Sequence, residues 1–180
     1  VWDVSNVTNM DNMLNGADAL SEENQCAIHT SFSSNDAWPY DWSEFCGDVV
    51  FQPQTKEELQ TAIDIWVDDN ETALSTYGEI NTWDTSLITD MSWIFYHKET
   101  FNDDISSWDV SNVTSMSAIF KAAKAFNQDL SSWDVSNVTN MSEIFMAAHV
   151  FNQDLSSWDV SNVTNMLRGF CQAYAFNGNI

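Results

Sequence analysis

Fifteen consecutive residues, FNQDLSSWDVSNVTN, stand at 126–140 and again, letter for letter, at 151–165. Phe101, Phe126, Phe151 and Phe176 recur every 25 residues, as do Trp83, Trp108, Trp133 and Trp158, and behind them Met91, Met116, Met141 and Met166. Four consecutive units run from about Thr76 to Ala175. A further one, WDVSNVTNMDNMLNGADAL, occupies Trp2 to Leu20. At such a period one unit cannot bury its apolar face alone, so the spacing predicts a solenoid in which each copy stacks on its neighbour.

Within a unit, Leu130, Trp133, Val135, Val138 and Met141 follow the spacing LxxLxLxxVxxL. The W-x-V alternation reads as a short strand with Trp and Val inward. The column Asn9, Asp90, Ser115, Asn140 and Asn165 consists of good helix N-caps. Ile144, Phe145, Ala147 and Ala148 then suggest two turns of helix, with Glu143 placed to close a capping box on Asn140. The fold class expected is therefore an α/β repeat solenoid, leucine-rich-repeat-like, with short parallel strands, short helices and helical caps.

The motif F-N-x-D-[IL]-S-x-W-D-V-S-N-V-T-x-M-x-x-[IM]-F resembles the BspA-like surface-protein repeat, also called DUF285, over roughly Trp2–Leu20 and Ile80–Ile180. The resemblance implies a secreted or surface-anchored protein without a catalytic site, associated with adhesion and partner binding. It transfers no functional residue.

Between Leu20 and Ser75 the period is lost. Ser21 caps a helix over SEENQCAIHTSF, and NDAWPYDWSEFCG follows, rich in turn formers and aromatics. Then TKEELQTAIDIWV opens with Thr55 and Glu58 as a capping box and sets Leu59, Ala62, Ile63, Trp66 and Val67 on one helical face. A single apolar stripe covers an open core. The expected organisation is thus the last repeat of a preceding array (1–20), a closing cap or linker (21–46), a helical opening cap (47–75), and four repeats with the start of a fifth (76–180). The chain opens in mid-motif, and joining its tail to its head would restore the rhythm with one residue missing, as in one module of a longer fibre or stalk; an arbitrarily placed boundary is the other reading. Cys26 and Cys46 bracket the turn-rich stretch, where an extracellular chain would place a disulfide; two buried thiols are the other reading. Cys171 has no evident partner.

Twenty-seven acidic residues stand against five basic ones, a formal charge of −22. Phosphate binding needs clustered Lys and Arg, so this balance argues against nucleic acid and anionic lipid. No apolar run approaches the ~18 residues of a membrane span. Asp84, Asp109, Asp134 and Asp159 form one outward column, extended by Asp3; Glu79, Asp104, Asp129 and Asp154 form a second. At a strand spacing of about 4.8 Å such carboxylates repel unless something offsets them. Either each accepts the backbone N–H two residues on, or the file Asp84, Asp109, Asp134, Asp159 coordinates Ca²⁺, a hard cation that takes oxygen ligands. Asn102, Asn127, Asn152 and Asn177 read as a ladder of buried amides. Asn6, Asn112, Asn137, Asn162, Asn140 and, outside the repeat, Asn70 begin sequons, glycosylation sites if the host is a secreting eukaryote.

His29, His97 and His149 are scattered and belong to no metal or catalytic motif, and no G-x-S-x-G or phosphate loop is present. The function expected is that of a non-catalytic scaffold, extracellular or on a cell surface, for adhesion, partner binding or filament building. Its partners would be a protein, a glycan or further copies joined end to end. The alternative is a carbohydrate-binding or carbohydrate-active module that uses the Ser/Asp face and Trp38, Tyr40 and Trp42 of AWPYDW.

Overall fold

The structure is a computed structural model that describes residues 4–33, 35–42 and 50–180. Its contacts divide the chain into two units, 1–49 and 50–180.

In the first unit, residues 4–20 form a run of turns. Helix α1 (Glu22–Phe32) begins, as expected, where Ser21 Oγ accepts the Asn24 N–H at 3.3 Å. Asn35 Nδ2 donates to the carbonyls of Val4 and Val7 at 2.6 and 3.0 Å. The Tyr40 hydroxyl accepts the Leu14 N–H at 3.3 Å. The segment after α1 therefore braces the turns before it.

In the second unit, helix α2 (Lys56–Asp68) starts at Thr55, whose Oγ1 accepts the Glu58 N–H at 3.2 Å. Glu58 Oε2 accepts in return from the Gln54 N–H at 2.7 Å, so the box reaches back one residue further than the sequence predicts. The helix buries Leu59, Ala62, Ile63 and Trp66, and these join Ile80, Trp83 and Ile88 in one core. Helix α3 (Asn70–Tyr77) is capped by Asp69 and stopped by Gly78, whose φ of +70° is left-handed. Polar groups follow the apolar ones. Gln60 Nε2 donates to the Ile94 carbonyl at 3.0 Å, the position at which Ile119, Ile144 and Gly169 accept a backbone N–H from a neighbouring coil. Thus α2 closes the apolar face of the first coil and also one carbonyl of its edge.

The repeats correct the expected fold class. An α/β arrangement of parallel strands and short helices is absent: among the described residues no strand exceeds single parallel bridges, Asp90↔Ser115, Ser115↔Asn140 and Asn140↔Asn165, and the α-helices all lie before residue 78. Where a helix was expected, backbone donors alternate. Met116, Ala118, Phe120 and Ala122 donate to Asn140, Ser142, Ile144 and Met146 of the next coil at 2.8–3.0 Å. Ile119, Lys121 and Ala123 donate three residues back, to Met116, Ala118 and Phe120, at 3.0–3.2 Å. A helix would aim all of these N–H groups along its own axis.

Left-handed residues prevent that. Ala118 and Ala122 have φ of 56° and 60°, and the same two columns are left-handed at Trp93 and His97, Glu143 and Ala147, Arg168 and Gln172. Met116, Ile119, Phe120 and Ala123 are buried at i, i+3, i+4 and i+7. That is the helical pattern, yet a chain of four-residue turns buries the same positions. Asn140 Oδ1 does accept the Ser142 N–H, at 3.1 Å, as a cap would. Glu143, expected to close the box, is left-handed and pairs with Lys121 at 2.5 Å instead.

The strand reading fails for a related reason. Trp133 and Val135 point inward and Asp134 outward, as the alternation requires. However, the Trp133 N–H goes to Leu130 O at 3.1 Å, the Val138 N–H to Val135 O at 2.9 Å, and the Ser136 N–H to Asp134 Oδ1 at 3.0 Å. Groups that a sheet would pair between coils are satisfied within one.

Side chains hold this part of the stack. Trp108, Trp133 and Trp158 donate their indole N–H to the carbonyls of Ile80, Ile105 and Leu130 in the preceding coil, at 2.8–3.1 Å. Rings of successive Phe columns lie nearly parallel, Phe101–Phe126 at 5.8 Å and 7°, Phe126–Phe151 at 6.1 Å and 4°, Phe120–Phe145 at 5.5 Å and 5°. Within a coil Phe145 lies 3.9 Å from Phe151. Each buried ring contributes about 1.5–3 kcal/mol by transfer, and ring pairs about 0.5–1.5 kcal/mol more.

Two substitutions test this geometry. Ala147→Gly should raise the urea midpoint, stabilising by about 0.5 kcal/mol, because a left-handed Cβ is removed; in a right-handed helix it would cost about 1 kcal/mol. Trp133→Phe should lower stability by about 1–3 kcal/mol in the same measurement, because the Ile105 carbonyl loses its donor.

Candidate functional site

The outward side of each coil's first half, such as 126–140, carries Asp, Ser, Asn and Thr and no basic residue. Hydrogen bonds explain how its carboxylates tolerate one another. Asp84, Asp109, Asp134 and Asp159 each accept the N–H two residues on, from Ser86, Ser111, Ser136 and Ser161, at 2.9–3.0 Å. Asp104, Asp129 and Asp154 accept from Ser106, Ser131 and Ser156 at 2.8–2.9 Å. Each therefore orders an Asx-turn with one oxygen; the second oxygen of Asp84 accepts from Gln52 Nε2 and that of Asp154 from Asn179 Nδ2.

Charge follows from this. The serine hydroxyl, then its N–H, holds Asp84, Asp134 and Asp154 below the ordinary carboxylate range; in Asp104 and Asp159 the N–H contributes most. The neighbouring Asp159 charge pushes Asp134 the other way, which is the like-charge repulsion of a stacked file. Asp109, Asp134 and Asp159 are exposed and Asp84 is partly so. Among the described residues no group of three or more His, Cys, Asp or Glu could hold a metal ion. Asp3 lies outside the described residues.

Around the aspartates, side chains rung from coil to coil. Asn112, Asn137 and Asn162 donate Nδ2 to the carbonyls of Ser86, Ser111 and Ser136 at 2.7–2.9 Å. Thr114, Thr139 and Thr164 donate Oγ1 to the Thr one coil back at 3.1 Å. Asn102, Asn127 and Asn152 accept the N–H of Asn127, Asn152 and Asn177 at 2.6–2.8 Å, a ladder as expected, though at the surface rather than buried. Of the sequon residues, Asn112, Asn137 and Asn162 thus use their amide nitrogen in the ladder. Asn140 uses its oxygen on Ser142. Asn70 opens α3, exposed, and Asn6 Nδ2 lies 3.5 Å from Ser5 Oγ.

Basic residues occupy the other part of the surface, and all five are paired. Lys56 meets Asp90 at 2.9 Å, Lys98 meets Asp64 at 2.7 Å, Lys124 meets Glu99 at 2.8 Å, and Lys121 and Arg168 meet Glu143 at 2.5 and 3.9 Å. Lys121 also lies over Trp93 and Tyr96, 5.1 and 5.6 Å from the ring centroids. Sequence reasoning missed this cluster because its members stand in different coils and only the left-handed columns bring them together. Asn12 and Gly16, which occupy those columns in the first copy with φ of 57° and 82°, were the available signal.

In the first unit, Trp38, Tyr40 and Trp42 form one partly buried ring cluster, with Tyr40 stacked on Trp42 at 5.0 Å and Trp38 edge-on to both. Trp38 Nε1 donates to His29 Nδ1 at 3.2 Å. Cys26 is disulfide-bonded, Cys46 lies outside the described residues, and Cys171 is a free, exposed thiol. No helix among the described residues is long and apolar enough to cross a membrane.

Stacked turn-built coils with an acidic, serine-rich outer ladder define a repeat protein rather than a single enclosed site. The chain matches the family described as "Mycoplasma protein of unknown function, DUF285" over residues 1–34 and 62–180, and it belongs to that family. No curated protein and no solved structure matches it.

The depressed aspartates carry a pH dependence with a defined sign. Their folded pKa values lie below the unfolded ones, so their stabilisation is present above about pH 4 and is lost as pH falls through the lowered values. Asp134→Asn keeps the acceptor without titrating. In chemical denaturation, wild type should therefore lose stability relative to Asp134→Asn as pH drops from 5 toward 2, and Asp134→Ala should be the less stable variant at neutral pH.

Proposed function

We propose that the chain is a non-catalytic, BspA-like scaffold, displayed outside the cell or at its surface, whose acidic ladder binds a basic patch on a partner protein. One observation carries this reading. All five cations pair with carboxylates outside the aspartate files, Lys121 and Arg168 sharing Glu143, so those files stand without a counter-charge of their own. The disulfide at Cys26 favours an oxidising compartment. Ordered Asx-turns hold the carboxylates in fixed positions, which lowers the cost of organising the surface on binding. The repeated Asn, Ser and Thr side chains have their structural partners in neighbouring coils and the Asp side chains theirs two residues on, as a display surface needs and a reacting centre does not.

Association of a lysine-rich peptide or a basic protein, followed by titration calorimetry, tests the proposal. Affinity should fall about tenfold or more between low and high salt. Asp109→Asn, Asp134→Asn and Asp159→Asn combined should weaken it by a similar factor, whereas Glu57→Gln, Asp68→Asn and Glu71→Gln combined should leave it near wild type. Equal losses in the two triple variants would reduce the effect to net charge and remove the assigned face.

A further inference from the structure

Around the stack, the copies differ most where the backbone is left-handed. The turn-forming column keeps Asp at 84, 109, 134 and 159, whereas the left-handed columns hold Trp93, Ala118, Glu143 and Arg168, then His97, Ala122, Ala147 and Gln172. Positions that take such different side chains in one backbone conformation are not dictated by the fold. Trp93 is the costliest occupant, a bulky residue at a φ of 71°.

The coil that carries it lies inside the structure. Helix α2 closes one side, where Gln60 Nε2 donates to the Ile94 carbonyl at 3.0 Å, and the next coil closes the other, where the Trp93 N–H meets the Ser117 carbonyl at 3.0 Å. The rings of Trp93 and Tyr96 meet edge to face, 5.0 Å apart at 88°, yet remain 43 % and 38 % exposed. Trp66, Trp83, Trp108, Trp133 and Trp158, the other tryptophans of residues 50–180, all donate their indole N–H to a carboxylate or carbonyl; the Trp93 indole N–H and the Tyr96 hydroxyl have no partner among the described residues. Two amphipathic rings thus face solvent with their polar atoms unused. Trp38, Tyr40 and Trp42 instead pack on one another, and the Trp38 indole N–H is taken by His29.

The surroundings narrow the ligand. Lys121 Nζ lies 5.1 and 5.6 Å from the two ring centroids and is tied to Glu143 at 2.5 Å. Lys124 meets Glu99 at 2.8 Å. Each lysine is matched by a carboxylate, unlike the aspartate files, so the patch favours neither an anion nor a cation. Donors and acceptors alternate beside two ring faces. Sugar hydroxyls both donate and accept, and the C–H face of a pyranose packs on aromatic rings. A protein hot spot would need a wider apolar core than two rings bordered by ion pairs.

We propose that Trp93 and Tyr96, with Lys121 and Glu143, form a binding site for a neutral saccharide. A hexopyranose unit packs on the rings, and its hydroxyls bond to Trp93 Nε1, the Tyr96 hydroxyl and the Lys121–Glu143 pair. The site makes no use of the acidic ladder and goes beyond the basic partner proposed above.

An array of neutral and acidic glycans probed with the whole chain, followed by calorimetry with the best-bound neutral oligosaccharide, is the test. Affinity should change by less than about twofold between low salt and about 0.5 M salt. The combined Asp109→Asn, Asp134→Asn and Asp159→Asn variant should bind the sugar as wild type does. Trp93→Gly, which suits a left-handed backbone, should keep the circular dichroism spectrum and weaken binding about tenfold or more. Trp93→Phe, a ring without the N–H, should fall between the two, and Leu87→Ala, exposed on the same coil, should bind as wild type does. An array on which only acidic glycans or none are bound, or sugar binding that survives Trp93→Gly, would overturn the proposal. Loss of lysine-rich peptide binding in Trp93→Gly, with no glycan bound by wild type, would make the patch a protein interface and overturn it equally.

Discussion

The division of backbone donors between two directions governs this molecule. In the second half of each coil, one N–H turns back three residues and the next reaches into the neighbouring coil. Neither set alone would suffice. Turns without cross-bonds would leave half of the buried N–H groups unsatisfied. Cross-bonds without turns would leave Ile119, Lys121 and Ala123 without the acceptors they find three residues back. Two left-handed residues per coil make the alternation geometrically possible, and the stacked Phe and Trp columns offset the strain of placing Ala, Glu and even Trp there.

The acidic surface and the fold share the same bonds. The aspartates order the turn between Trp and Val, and the same turn fixes each carboxylate at the surface. Rungs of Asn, Thr and Ser then replace the backbone ladder that the turn has taken away. Anything that recognises the acidic files therefore meets a pre-ordered surface. The basic residues are drawn off to the side where the left-handed columns stand, paired with Glu143, Glu99 and Asp64. The acidic columns are thus multiplied by stacking, whereas the cations stand at positions that do not repeat, and the copy at 126–150 has none.

Much of the inside was legible because burial repeats with the letters. Phe126, Leu130, Trp133, Val135, Val138 and Met141 are interior, as their spacing required. The caps at Ser21 and Thr55 were legible too, since a side-chain oxygen before an apolar stripe has few other uses. The helix after Asn140 was not. Its apolar pattern is shared by right-handed helix and by consecutive turns, and nothing in MSEIFMAAH distinguishes them. Only in the first copy, where Asn12 and Gly16 fill the left-handed columns, does the local chemistry point to the answer. The strand failed for a similar reason: alternation of Trp, Asp and Val reports which side faces inward and is silent on where the N–H groups go.

By itself, then, the amino-acid sequence determined the period, the residues that face inward, the acidic outer columns and the helix α2 that covers the first stacked coil, because each of these depends on residue type at a fixed spacing. The tertiary structure decided the backbone path between those points. A turn and a helix of equal apolar pattern differ only in what their N–H groups meet, and here they meet a neighbouring coil that exists only once the chain has stacked.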